Sequence, residues 1–177
     1  YQVVAQWDPS APKEKRFEQS DYASITVVAA KDVCFSPQRR GSPVATYFWV
    51  IHNWLKQAPP EEQCEEAFRV CAAWPVRKIF YEDNGGFSVI RPYIRMLERE
   101  KRTRLPIRML PQTQNKVQKI YNMEPIIKRR VFFADHLGTA YFSQWDDFPQ
   151  GAYDDGPDST VDAIENYKRF FRGDFTI

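Results

Sequence analysis

Three groups of acidic residues stand where the chain breaks its pattern. Asp8 closes the run Tyr1-Gln2-Val3-Val4-Ala5-Gln6-Trp7, immediately before Pro9-Ser10. Glu82 and Asp83 follow Val76-Arg77-Lys78-Ile79-Phe80-Tyr81 and precede Asn84-Gly85-Gly86. Asp154, Asp155 and Asp158 lie in Gly151-Ala152-Tyr153-Asp154-Asp155-Gly156-Pro157-Asp158-Ser159-Thr160. Clustered carboxylates without His or Cys partners suit hard cations such as Mg²⁺ or Mn²⁺. Two such ions about 4 Å apart can clamp an in-line phosphodiester displacement, one activating water and the other holding the leaving oxygen. Each group also has a purely structural reading. Asp8 before Pro-Ser can start an Asx turn, Asp154 to Asp158 can be turn residues and a helix cap, and Gly85-Gly86 can be a tight turn that also admits close backbone approach.

The elements that must position these groups are legible from periodicity. Val3, Ala5 and Trp7 alternate along a strand that Asp8 ends, since Pro9 removes a ladder donor. Residues 9 to 21 read as a loop. Ser24 to Ala30 and Ala45 to Asn53 are β-rich, with a turn from Ser36 to Pro43 between them, so the first three strands form an antiparallel meander. The period then changes. Pro59-Pro60-Glu61-Glu62 starts a helix, and Cys64, Ala67, Phe68 and Cys71 share one face of it. A strand over Val76 to Tyr81 leads to a helix over Phe87 to Lys101, and a further strand lies near Leu105 to Leu110. Asn115 to Met123 is helical, Val131 to Phe133 extended, and His136 to Trp145 helical. The last helix spans Ser159 to Phe171, with Ser159 and Asp162 at capping-box spacing. Three strands followed by alternating α and β segments make an α/β domain with a mixed sheet.

Composition narrows the field. The 177 residues carry 25 Lys and Arg against 23 Asp and Glu, and are 43% apolar and 15% aromatic, so a packed core is expected rather than disorder. No apolar run is long enough to span a membrane. The chain opens on Tyr1-Gln2-Val3-Val4, with neither an initiator Met nor a signal sequence, and reads as a domain cut from a longer protein. Three cysteines (Cys34, Cys64, Cys71) in no C-x-x-C spacing read as reduced core thiols of a cytosolic protein. Two histidines, His52 and His136, are too few for zinc chemistry. Neither a P-loop nor a dinucleotide fingerprint is present. Charge is segregated: residues 91 to 130 hold twelve Lys or Arg and three Glu, whereas 135 to 165 hold eight acidic residues and no Lys or Arg. That asymmetry fits a polyanion held beside bound cations, or an ordinary solvated surface.

The order strand-end Asp, strand-end Glu, late Asp pair resembles the nuclease domain of tailed-phage large terminase subunits, in the RNase H-like superfamily. The resemblance runs through Trp7-Asp8-Pro9-Ser10 with Ser20-Asp21-Tyr22-Ala23, through Phe80-Tyr81-Glu82-Asp83-Asn84, and through Phe148-Pro149-Gln150-Gly151-Ala152-Tyr153-Asp154-Asp155-Gly156-Pro157-Asp158. It implies one RNase H-like nuclease domain over residues 1–177, with a mixed sheet (an antiparallel meander of three strands followed by parallel strands) flanked by helices. It also implies Asp8, Glu82 and Asp155 as catalytic residues, and Asp8, Glu82, Asp154, Asp155 and Asp158 as ligands of two Mg²⁺ or Mn²⁺ ions. Asp83 is an alternative to Glu82, Asp21 is an outer contact or a turn residue, and Asp162 falls on the exposed face of a helix. Tyr153 stands where the family often has His, and Ser159 where it usually has Ala. Asn115-Lys116-Val117-Gln118-Lys119-Ile120 matches a basic helix of the family, so Lys116 and Lys119 would meet the DNA backbone, a contact that positions duplex without reading bases. Lys128-Arg129-Arg130 extends that surface or serves solubility.

The resemblance further implies an endonuclease that cuts concatemeric viral DNA during packaging in the host cytoplasm. Its partners would be an ATPase motor domain that this sequence does not contain, a small terminase subunit, and the portal. Two other readings compete: a catalytically silent docking or DNA-binding module that kept the fold, and another RNase H-like enzyme such as a junction resolvase or transposase core.

Overall fold

Strand β1 (Gln2–Asp8) is buried along nearly its whole length, with Val3, Ala5 and Trp7 on one face and Val4, Gln6 and Asp8 on the other. It lies in the interior of a six-stranded sheet with β2 (Ala23–Cys34), β3 (Val44–Lys56), β4 (Val76–Asp83), β5 (Ile107–Pro111) and β6 (Val131–Phe133), in the order β5-β4-β1-β2-β3-β6. Strands β1, β2 and β3 pair antiparallel, while β4 and β5 extend the sheet in parallel from β1, and β6 pairs parallel with β3. Only β2 therefore runs against the others. This is a mixed sheet with the meander first and the parallel strands after, the strand arrangement that the resemblance implies. The computed structural model describes residues 1–10, 22–34, 44–83, 87–111 and 115–172. The expectations for Asp21, for the loop beyond Ser10, for the Ser36–Pro43 turn and for Asn84-Gly85-Gly86 lie outside these residues.

Helices cover both faces. Val3, Ala5, Trp7, Ile79 and Tyr81 form one core layer with α1 (Pro60–Ala73) and α2 (Phe87–Lys101), through Cys64, Ala67, Phe68, Ile90, Ile94 and Leu97. Val4, Val28, Val50 and Phe80 form the other layer with α3 (Lys116–Arg130), α4 (Thr139–Asp147) and α5 (Asp155–Tyr167). Among the described residues no helix is long and apolar enough to cross a membrane.

Strands β2 and β3 run longer than the sequence reading, and three helices differ from it. Helix α3 continues past Met123 through Pro125 to Arg130, because Ile126 and Ile127 extend its contact with the second core layer and offset the backbone hydrogen bond that proline removes. Helix α4 starts later, at Thr139, after a turn that ends on Gly138. Helix α5 starts four residues early, at Asp155, with Pro157 in its first turn, where a missing N–H costs nothing. Ser159 is therefore inside the helix and forms no capping box, and the chain after Tyr167 widens into a π-helical turn, Lys168–Arg172. All three cysteines are free, but the core-thiol expectation fails for Cys34, which is exposed at the end of β2.

Candidate metal centre

Strand parity brings the first two carboxylates together. Side chains alternate between faces along a strand, so Asp8 points with Val4 and Gln6 toward α5, and Glu82 points with Phe80 to the same side. The parallel register pairs Gln6 with Phe80 and Trp7 with Tyr81, which sets Asp8 and Glu82 side by side one step further on. Both lie at strand ends, where a parallel sheet opens toward a crevice.

Helix α5 supplies the rest. Asp154 caps it with its backbone carbonyl, which accepts from Asp158 N at 2.9 Å, while Asp155 and Asp158 occupy the first turn, facing its positive end. Candidate ligand oxygens of Asp8, Glu82 and Asp158 all lie within 4.8 Å of one another, and the three side chains are buried. Asp155 is buried beside them, its Oδ2 accepting the Tyr22 backbone N–H at 3.3 Å, and Asp154 is half-exposed at the rim. Of the three residues expected to be catalytic, Asp8 and Glu82 fall in this trio, while Asp155 stands beside it. The mutual trio is closed by Asp158, with Asp155 adjoining. Asp83, the alternative to Glu82, alternates to the opposite side of β4.

Two lysines from α3 enter this pocket. Lys116 Nζ lies 3.2 Å from Asp158 Oδ2, 3.8 Å from Asp8 Oδ2, and 3.9 Å from both Asp154 Oδ1 and Asp155 Oδ1. Lys119 Nζ lies 2.6 Å from Asp158 Oδ1 and 2.6 Å from Asp162 Oδ1. Lys119 is only 7% exposed, so it turns inward and its ammonium is engaged by carboxylates. Asp162 is likewise not on an exposed face, because one turn along α5 it closes the Lys119 pair. The Asp158 oxygens are fully buried between these two ammonium groups. Glu82 Oε2 is buried with no hydrogen-bond partner among the described residues.

The electrostatics follow from this crowding. Burial raises the Asp8 carboxyl well above the usual carboxylate range; Lys116 opposes the shift, while Glu82, Asp158 and Asp155 add to it. Glu82 is raised by burial and then by Asp158, against the pull of Lys119 and Lys116 and a hydrogen bond with Asp8. Burial works against the charge on each lysine, yet the surrounding carboxylates hold both pKa values above the ordinary lysine range. The pocket therefore keeps its lysines charged and has more negative charge than it can satisfy internally. An orphaned buried carboxylate oxygen in an all-oxygen donor set fits a hard divalent cation.

A hydroxyl cluster beneath the centre carried no signal that the sequence reading used. Ser159 Oγ lies 2.7 Å from Ser24 Oγ and 2.6 Å from Thr26 Oγ1, and Asn53 Nδ2 donates to both of those hydroxyls. Asp162 had a legible signal: Asp155, Asp158 and Asp162 fall at i, i+3, i+7, one face of a helix that starts at Asp155.

No family model and no curated protein matches the chain. Among solved structures, the chain is similar to the structure of RuvC from Thermus thermophilus, at 12% identity and a TM-score of 0.45, over 94% of this chain and 95% of that one.

Proposed function

We propose that this chain is a divalent-metal-dependent DNA endonuclease of the large-terminase kind, cutting concatemeric viral DNA in the host cytoplasm during genome packaging. The observation that carries the reading is the meeting of Asp8, Glu82 and Asp158, from three separate segments, within 4.8 Å in a buried pocket. Asp8, Glu82 and Asp158 would hold the metal, with Asp155 and Asp154 completing the ligand set. Bound divalent ions supply an activated water and a clamp on the leaving oxygen.

Charge balance supports two Mg²⁺ or Mn²⁺ ions. Asp8, Glu82, Asp154, Asp155, Asp158 and Asp162 face Lys116 and Lys119, and with all six carboxyls ionised, as bound cations would favour, the two ammonium groups leave four negative charges unmatched. Lys119, shared between Asp158 and Asp162, orients Asp158. Lys116 is the more accessible of the two lysines and reaches the pocket mouth, where its ammonium would meet a DNA phosphate. The motor domain, the small terminase subunit and the portal are the partners of this reading.

Nicking of supercoiled plasmid in Mn²⁺ or Mg²⁺ tests the proposal, and cutting undiminished by Asp8→Ala refutes the assigned site. Preference for branched over linear substrates in the same assay would instead indicate a resolvase-type enzyme. One observation favours a second reading: Lys116 lies within ion-pairing distance of four carboxylates, as it would in a silent docking module whose acidic pocket is neutralised from within. That module binds DNA, cuts it in no divalent metal, and is indifferent to carboxylate substitution.

A further inference from the structure

With Lys119 buried among carboxylates and Lys116 confined to a phosphate at the pocket mouth, the duplex needs a further cationic surface. Helix α2 has one. Arg91, Arg95 and Arg99 are exposed and spaced four residues apart, which on a helix advances each by about 6 Å and about 40°. They make a ridge about 12 Å long on the side away from the buried stripe of Ile90, Ile94 and Leu97. Exposed Lys101, Arg102 and Arg104 prolong it past the helix end. Among the described residues Arg91, Arg95, Arg99 and Arg102 have no acidic partner. The nearby Glu98 carboxylate accepts the Leu105 backbone N–H at 3.2 Å instead.

The ridge begins at the metal-centre end of the sheet. Helix α2 starts at Phe87, whose ring stands 5.0 Å from Tyr81, the residue before Glu82, so it leaves the sheet at that end but on the face opposite the one to which Glu82 points. From there the arginines run away from the pocket. Guanidinium forks match phosphate oxygens in two-point contacts, and the exposed positions of α2 include no aromatic on which an unpaired base could stack. Its stripe of Ile90, Ile94 and Leu97 is buried, and Val89 and Met96 are the large apolar residues it exposes, too few to make a face that inserts into a lipid surface.

We infer that Arg91, Arg95 and Arg99 form a binding surface for the sugar-phosphate backbone of double-stranded DNA, guiding the duplex toward the sheet end that carries the metal centre. The choice of DNA as ligand rests on the nuclease reading above. The test is fluorescence anisotropy with a labelled duplex over a NaCl series, in EDTA so that no strand is cut. Neutralising all three arginines (Arg91→Gln, Arg95→Gln, Arg99→Gln) should flatten the log K against log [salt] slope by about 2.7, at about 0.9 per phosphate contact. The corresponding triple Arg→Lys variant, which keeps the charge, should retain the wild-type slope. An unchanged slope in the Gln variant overturns the inference, as does wild-type protein that binds no duplex. Loss of binding to anionic vesicles or duplex RNA with DNA binding intact also overturns it. Plasmid cutting in Mn²⁺ separates the two claims: a chain that binds through the ridge but never cuts ends the nuclease reading alone, and a chain that cuts with a slope indifferent to the ridge ends this one alone.

Discussion

Ser24 Oγ lies 2.7 Å from Ser159 Oγ, and each of these residues stands beside a carboxylate of the metal centre. Ser24 is the partner of Asp8 across β1 and β2, and Ser159 follows Asp158 in α5. Both serines are fully buried. The hydroxyl contact therefore fixes how far the helix-borne carboxylate stands from the strand-borne one.

Replacing Ser159 by Ala removes this tie and its contact with Thr26. The expected cost is about 1 kcal/mol of stability, with Mn²⁺ binding weakened roughly tenfold, as when a group that orients a metal ligand is lost. Urea unfolding and isothermal titration measure the two. Undiminished Mn²⁺ affinity would mean that other contacts locate α5.

Gly156 holds the same helix turn from the other side. Its N–H donates to Gln144 Oε1 at 2.7 Å, and a Cβ there would lie 2.9 Å from Tyr141 Cδ2. Gly156→Ala should cost about 1–3 kcal/mol through overpacking and displace Asp155 and Asp158. Gly138→Ala is the control, because a Cβ at Gly138 meets nothing within 4 Å. Equal Mn²⁺ affinity in the two variants would show that the α5 turn need not be seated this closely.

Much of this centre was readable before any coordinates. Pro9 and the Gly85-Gly86 pair mark where β1 and β4 end, so Asp8 and Glu82 could be placed at strand ends, and parity then sends both to one face. The helix-borne part was harder, because Ser159 and Asp162 imitate a capping box and pulled the predicted start of α5 four residues too late. With the true start, Asp158 becomes central and Asp162 turns inward. The direction in which the lysines point was harder to read for a similar reason. Lys116 and Lys119 share the i, i+3, i+4, i+7 stripe of Ile120 and Met123, so they face the protein, whereas local charge density suggested solvent. The Ser24–Ser159 tie joins residues remote in sequence and has no local signature.

The raised Asp8 and Glu82 carboxyls predict an inverted pH dependence for metal-free protein. A carboxyl whose folded pKa exceeds its unfolded value of about 4 contributes stability at low pH, which is lost as pH rises through the folded value. The lysines stay charged in both states across this window and add no slope there. In EDTA the melting temperature should therefore fall between about pH 5 and pH 8. Saturating Mn²⁺ should reverse the trend, because it binds the ionised carboxylates. A flat EDTA profile would contradict the crowding of charge described above.

Lys116→Gln leaves Asp8, Asp154, Asp155 and Asp158 without their shared ammonium. Melting in EDTA at pH 8 should fall, by about 2 kcal/mol in stability, since Lys116 is partly exposed and the full penalty of a broken buried pair does not apply. The Mn²⁺-induced rise in melting temperature should exceed that of wild type, because a competing cation is gone. Plasmid cutting should nevertheless drop if Lys116 meets the phosphate. A smaller Mn²⁺-induced rise would show that Lys116 supports the bound ions rather than competing with them.

The central claim is that three remote segments build one divalent-cation pocket, and anomalous diffraction from a crystal soaked in Mn²⁺ tests it most directly. The account predicts manganese peaks bounded by the carboxylates of Asp8, Glu82 and Asp158, with Asp155 adjoining and Lys116 withdrawn from at least one of its present contacts. A map with no peak among these side chains, in a crystal where they keep their positions, contradicts it.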